Sequence, residues 1–320
     1  MSAVGANTVA VLVERHGEHI ARPTLEALTL ARSLGTPVAV WLGGTPSEEA
    51  VEVLGDYGAA QVRVISDDVR LASVAAAALR AASDDAEIVL VVSTFVNKEI
   101  ATRLAYATGA GVVVDVAGAE VVDGHVETFQ TVFAATWNVR TRVNRDLAIV
   151  GVRPNTTLAV AIEDAALPAV VEVPFEAPAT LETVVHAETV EASDGVPLAE
   201  APVVVSGGRG TGGDYALVRE FAEVLGGAVG ASRDATDEGW ISHEHMVGQT
   251  GTTVTPALYV ACGISGAVHH RGGMQASGTI VAVNLDPDAP IFEISDFGVV
   301  GSLFDVLPAA IARIREVRES

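Results

Sequence analysis

"VVVSGGRGTGGDYALVREFAEVLG", residues 203–226, is the stretch whose reading decides the fold of this chain. Three consecutive valines make an apolar run of the kind that forms a buried strand. Glycines crowd the residues that follow, from Gly207 to Gly213. Asp214 to Leu225 then reads as a helix, with Ala216, Phe221 and Leu225 among its apolar positions and Gly226 as its stop. Strand, glycine loop and helix in that order make a βα unit, the building block of a parallel sheet. Gly208-Arg209-Gly210-Thr211-Gly212-Gly213 also fits G-x-G-x-x-G, whose physical content is backbone N–H groups aimed at a phosphate near a helix N-terminus. The same glycines would serve a tight turn that holds nothing, so the fingerprint alone leaves both readings open. Asp234 stands after the next strand, where a ribose-binding carboxylate would sit.

Outward from this unit the alternation continues. "AVGAS", "ALYVACG", "TIVAVN" and "PIFEIS" read as strands, "ISGAVHHRGGM" opens a helix, and "VVGSLFDVLPAAIARIREV" is a terminal helix that Pro308 kinks or restarts. Toward the N-terminus, "TVAVLVE", "PVAVWLGG", "QVRVIS" and "EIVLVVS" are strands separated by helical segments. That order implies a parallel sheet covered by helices. From about residue 111 strands follow one another with turns such as Asp123-Gly124, and "LAIVGVRP" and "PAVVEVPFE" add more; this part reads as a β-rich addition. Residues 176–202 are acidic and turn-rich, with Pro178, Pro197 and Pro202, which places a linker near 193–201. The expectation is an α/β protein of two domains. Residues 1–200 form an N-terminal parallel-sheet α/β domain with the β-rich addition, and 201–320 a C-terminal Rossmann-like domain.

Composition narrows the function. The formal charge is −22 and no basic run appears, which argues against nucleic acid and anionic membranes as partners. Cys262 is the only cysteine, so disulfide scaffolds and multi-cysteine metal sites are excluded. No uncharged apolar run reaches membrane-spanning length, and the first residues lack the basic start of a signal peptide. A cytoplasmic location is the expectation.

Residues able to carry chemistry gather after residue 208. Ser232 and Arg233 end a strand, where open α/β sheets bind ligands, although a capping serine and a solvated arginine would look the same. In 247–256, Gly248 and Gly251 bracket Gln249 and Thr250, which suits a flat polar ligand. His243 and His245 lie two apart, but no third ligand accompanies them, and no metal site is expected. Ser265 and Gly266 follow a strand end where a helix begins, a natural place for an anion. His269 and His270 point about 100° apart on that helix, so one imidazole is expected to face the cleft. His125 and His186 are isolated, and no acid–base pair stands out in the first domain.

The ordered series "VGASRDATDEGW", "VGQTGTTVTPALYVACGISGAVHHRGGMQASGTIVAVNLDPDAPIFEISDFGVVGSLF" resembles the C-terminal FAD domain of electron-transfer flavoprotein alpha subunits, over essentially residues 203–310. "VLVERHGEHIARPTLEALTLARSLG" and "KEIATRLAYATGAGVVVDV" extend the resemblance to the first domain. It implies an electron carrier with redox-active FAD rather than an enzyme with a substrate of its own. Carried over by position, Arg209, Ser232 and Arg233 meet the FAD. Val247, Gly248, Gln249, Thr250 and Gly251 line its ring, with Thr250 near N5. Ser265, Gly266, Ala267, Val268, His269 and His270 take the pyrophosphate and the ring edge, with His270 near the flavin O2. Asn284, Ser302 and Leu303 serve the adenosine side. Three positions depart from the family pattern: His269 stands for glutamine, Thr252 for lysine and Ser302 for aspartate. The resemblance further implies a beta subunit carrying AMP or a second FAD; the first domain, which holds none of the matched FAD positions, is expected to be the platform that grips it. Electrons would come from flavin dehydrogenases such as the acyl-CoA dehydrogenases of fatty acid β-oxidation and pass to a membrane quinone reductase. An NAD-dependent oxidoreductase or a nucleotide-binding regulatory module are the alternatives; bound flavin is yellow, and NAD and AMP are not.

Overall fold

The computed structural model describes residues 7–133, 137–180, 182–186 and 196–319. They divide into two compact units, one built from residues up to Val132 and from Asn138 to His186, the other from Phe133, Trp137 and the residues from Val196 onward.

The first unit contains strands β1 (Thr8–Leu12), β2 (Arg15–His16), β3 (His19–Ile20), β4 (Thr36–Leu42), β5 (Gln61–Ile65), β6 (Ile88–Val92), β7 (Gly111–Val116), β8 (Gly118–Val122), β9 (His125–Val132), β10 (Trp137–Arg142), β11 (Ala148–Val152) and β12 (Ala169–Glu172). Its helices are α1 (Arg22–Leu34), α2 (Glu48–Asp56), α3 (Ala72–Ala82) and α4 (Phe95–Thr108). Their ends follow from local chemistry. Ser47 Oγ accepts from Ala50 N to start α2, and Thr94 Oγ1 accepts from Asn97 N to start α4. Gly109, in the left-handed region at φ 70°, stops α4.

Seven strands form one parallel sheet in the order β12-β5-β4-β1-β6-β11-β7. Here the structure corrects the sequence reading. The segments "LAIVGVRP" and "PAVVEVPFE" supply β11 and β12 to the main sheet, and only β8, β9 and β10 form a separate three-stranded sheet. All five residues of β11 are buried, which is the pattern of an interior parallel strand covered on both faces. β12 is exposed along its length because it lies at the sheet edge. The Asp123-Gly124 turn does join two antiparallel strands, β8 and β9, with both residues at positive φ (52° and 77°), as a two-residue hairpin turn of primed type requires.

The second unit contains β13 (Val203–Gly207), β14 (Ala228–Ala231), β15 (Leu258–Cys262), β16 (Thr279–Asn284) and β17 (Phe297–Val300), with helices α5 (Ala216–Leu225), α6 (Arg233–Asp237), α7 (Val268–Met274) and α8 (Leu303–Glu319). The strands are parallel in the order β14-β13-β15-β16-β17. The chain leaves β13 in one direction and returns as β15 on its other side, so the switch point, where ligands of open α/β sheets bind, lies between β13 and β15. One core packs β13, β15 and β16 against α5 and α8 around Val205, Phe221, Val260 and Leu307; another lies on the opposite face around Val204, Tyr259, Met274 and Ile291. Two strand assignments shift. "PIFEIS" is a 3-10 turn over Pro290–Ile294, and the last strand is instead Phe297–Val300, taken from what the sequence offered as the start of the terminal helix. Helix α8 then runs through Pro308 without a restart. Of the segment read as a linker, 193–195 fall outside the described residues, while Leu198 and Ala201 pack into the second unit's core.

Candidate functional site

The carboxyl ends of β13, β14, β15 and β16 open onto one cleft of about 670 Å³, within the range of roughly 300–1,000 Å³ typical of small-molecule sites. Its walls bring together Arg209, Ser232, Arg233, Val247, Gly248, Thr250, Ser265, Ala267, His269, His270 and Asn284, residues separated by as many as 75 positions in the chain.

The glycine loop works differently from the fingerprint reading. After β13 the chain makes a 3-10 turn over Arg209–Thr211, and α5 starts only at Ala216, so the fingerprint does not open that helix. A Cβ on Gly210 would lie 2.6 Å from Gly263 Cα, and one on Gly208 would lie 2.5 Å from Gly263 O. These glycines are therefore needed where the loop after β13 meets the turn after β15, backbone to backbone. Gly210 N donates to Gly263 O at 3.0 Å and locks the two together. Gly266 follows the same logic: it sits at φ 88° with Ile291 N where its Cβ would be.

The two arginines stand in the open. Arg209 Nε pairs with Asp234 Oδ2 at 3.0 Å and Arg233 Nε with Asp237 Oδ2 at 3.2 Å, all four side chains being exposed. Such pairs are worth at most about 1 kcal/mol, so either guanidinium can be drawn to a phosphate at little cost. Asp234, read as a ribose ligand, is Arg209's partner here. Ser232 occupies the cap position of α6 but makes no side-chain cap bond, and its buried Oγ has no hydrogen-bond partner.

The loop 247–252 is held against α7 by small residues. A Cβ on Gly273 would collide with the backbone of Gly248, and one on Gly272 with the Gln249 side chain. Gln249 N donates to His269 O at 3.0 Å, and its side-chain Oε1 lies 3.0 Å from His269 Nδ1. Both imidazoles touch the cleft, where one was expected. They differ in burial instead: His269 is exposed, and His270 is 6% exposed with Nε2 2.9 Å from Tyr259 Oη. Burial pushes the His270 imidazole down to about 4, against a weaker pull from the Val247 backbone, so it is neutral at pH 7. Its Nδ1 is buried without a hydrogen bond.

Six expected residues do not line the cleft. Gln249, Gly251, Gly266 and Val268 are not part of its lining; Gln249 packs on α7 and Gly266 against Ile291. Leu303 is a core residue at 4% exposure, and Ser302 caps α8 by accepting from Phe304 N at 3.2 Å. These two line a separate hollow of about 50 Å³ that shares Gly210, Gly263 and Asn284 with the cleft. Asn284 spends its side chain inside the fold, donating to Ile264 O and accepting from Asp286 N. Asp237, Gly263, Ile264, Asp286 and Ala289 line the cleft without having been singled out. Applying the strand-end rule uniformly to β15 and β16 would have found Gly263, Ile264 and Asp286. Among the described residues no group of three or more His, Cys, Asp or Glu could hold a metal ion, and no helix is long and apolar enough to cross a membrane.

The residues present fit a dinucleotide of FAD's chemistry. Two residues with an orphaned buried polar atom, two loosely held arginines and a loop tied against α7 line one open volume. The family model described as "Electron transfer flavoprotein FAD-binding domain" matches residues 197–275, and "Electron transfer flavoprotein domain" matches residues 9–178. The first match includes the ends of β13, β14 and β15 and both histidines; the part of the cleft around Asn284 lies beyond it. An electron transfer flavoprotein subunit alpha from Mycobacterium leprae is 44% identical over 93% of this chain and 95% of its own. One from Thermoanaerobacterium thermosaccharolyticum is 37% identical over 92% of each chain, and one from Paracoccus denitrificans 36% identical over 91% of this chain and 94% of its own.

Proposed function

This chain belongs to the electron transfer flavoprotein alpha-subunit family, with an FAD-binding domain in its second unit, and on that premise we propose that it is the FAD-carrying half of a two-chain electron carrier. The observation that carries the proposal is the cleft at the β13/β15 switch point, with Ser232 Oγ and His270 Nδ1 buried in its walls and unsatisfied. Bound FAD would supply reversible storage of electrons, which no side chain here provides. Arg209 and Arg233 would exchange their aspartates for phosphate oxygens. The Gly248–Thr250 loop and the histidine helix would flank the ring, and Asn284 and Ser302 the adenosine end. The neutral His270 would present a hydrogen bond, not a full charge, to the ring.

The first unit, in this proposal, is the platform that grips a beta subunit, itself holding AMP or a second FAD. Flavin dehydrogenases of the acyl-CoA type would load the carrier and a membrane quinone reductase would unload it, in the cytoplasm. Purifying the chain with its beta subunit tests the reading: a flavin absorption spectrum with one FAD per alpha chain is expected. A colourless complex, or one that retains NAD instead, would overturn it.

A further inference from the structure

Tyr259 lies in the middle of β15 with no solvent exposure, and its hydroxyl reaches His270 Nε2 at 2.9 Å. The rings meet edge-on, at 61° and 6.1 Å between centroids. Burial pushes the phenol up and the imidazole down to about 4, so both partners are neutral at physiological pH. One ring proton must then sit on either Nδ1 or Nε2. If the phenol donates to Nε2, the ring proton is on Nδ1 and one buried group, that N–H, lacks a partner. If Nε2 donates to the phenol, the phenolic proton and the Nδ1 lone pair are both stranded. Ser206 Oγ, the other hydroxyl near Tyr259, acts on the phenol but makes no hydrogen bond of normal geometry, so it relieves the second arrangement only weakly. Each stranded buried group is costly, so the first arrangement wins.

The geometry points to Tyr259 as a positioning residue: its buried hydroxyl fixes the proton of His270 on Nδ1 and so makes this point of the cleft wall a hydrogen-bond donor. The inference deepens the reading of the cleft as the FAD site and rests on it for its consequence. A donor there suits a ring carbonyl oxygen, and strengthens as electron density gathers on that oxygen. With Nδ1 bare, the same ring would repel it. The tautomer is set from the side of the ring away from the ligand, in the way that the outer partner of a metal-ligating histidine sets which nitrogen binds.

The test is nitrogen-15 NMR of the full chain labelled at histidine, with His270→Gln identifying the His270 signals among the eight histidines. In the flavin-free wild type, Nδ1 is expected to be protonated and Nε2 to be a hydrogen-bonded acceptor, unchanged between pH 8 and pH 5. Tyr259→Phe, which keeps the ring in the core, is expected to shift the tautomer ratio by about tenfold, the weight of one hydrogen bond. In the flavin-loaded complex it is expected to lower the FAD reduction potential. Protonation of Nε2 in the wild type overturns the inference whether or not the variant folds, and so does an unchanged ratio in a folded Phe variant. A tautomer shift in a chain that takes up no FAD supports the positioning role while defeating the FAD reading.

Discussion

At the carboxyl ends of the first unit's strands, Asn97 Nδ2 donates to Glu14 Oε1 at 2.6 Å, Ser93 Oγ donates to Asp115 Oδ1 at 2.8 Å, and Lys98 Nζ pairs with the same carboxylate at 2.7 Å. Asn155 N donates to the buried Glu26 at 2.7 Å. Trp41 Nε1 and Arg153 Nε are exceptions, both buried without a hydrogen bond. At the corresponding ends of the second unit's strands, Ser232 and His270 line an open cleft, and Ser232 Oγ and His270 Nδ1 are buried without a hydrogen bond. The two sheets are parallel, and each has a switch point beside its first strand. What separates them is that the first unit ties its carboxylates, Asn97, Ser93 and Lys98 to one another at the strand ends, while the second unit leaves an open cleft there. Topology offers a ligand site; the local sequence closes it or leaves it open.

The largest expected effect comes from filling the second unit's close contact. Gly210→Val would press a branched side chain into the Gly263 backbone and should destabilise this unit by about 3 kcal/mol, with loss of bound flavin. Urea unfolding and flavin absorbance measure both; full flavin retention would mean that the loop does not need its close approach.

Next is a pH effect confined to the second unit. His270 is neutral when folded, with its pKa pushed to about 4 from 6.5. The unfolded chain therefore binds more protons than the folded one between those values. Stability is unaffected above pH 6.5 and falls as pH drops toward 4, by up to about 3 kcal/mol. Hydrogen exchange of the β15 amides should show the loss, and His270→Gln should remove it.

Ser232→Ala sharpens the contrast by giving effects of opposite sign. Its hydroxyl is buried without a partner, so its removal should stabilise the flavin-free chain by up to about 1 kcal/mol and weaken FAD binding by about tenfold. Calorimetry with and without flavin separates the two; equal changes in both states would mean that the hydroxyl never meets the ligand. The smallest effect belongs to the first unit. Lys98→Met breaks a partly exposed ion pair and should cost less than about 1 kcal/mol, with flavin affinity unchanged.

Much of the site was legible because its chemistry sits where strands stop. The strand-end rule singled out Ser232-Arg233 after β14 and Ser265 after β15, glycine placement singled out the loops that hold Arg209 and Gly248–Gly251, and the resemblance joined them into one site. Where the reading failed, packing had overruled local pattern. Gly208 and Gly210 look like a phosphate cradle because both uses demand the absence of a Cβ; only the proximity of Gly263 distinguishes them. Leu303 looks like a site residue by position and is a core residue by burial.

The sequence by itself determined the two α/β units, the strand–loop–helix order and the identity of the loops that line the cleft. Those follow from periodicity and from where glycine interrupts it, which are local properties. Only the tertiary structure decided that β11 lies inside the main sheet, that both histidines reach the cleft, and that His270 is neutral and tied to Tyr259. Strand neighbours, desolvation and hydrogen-bond partners are set by residues distant in the chain, and no window along the sequence contains them.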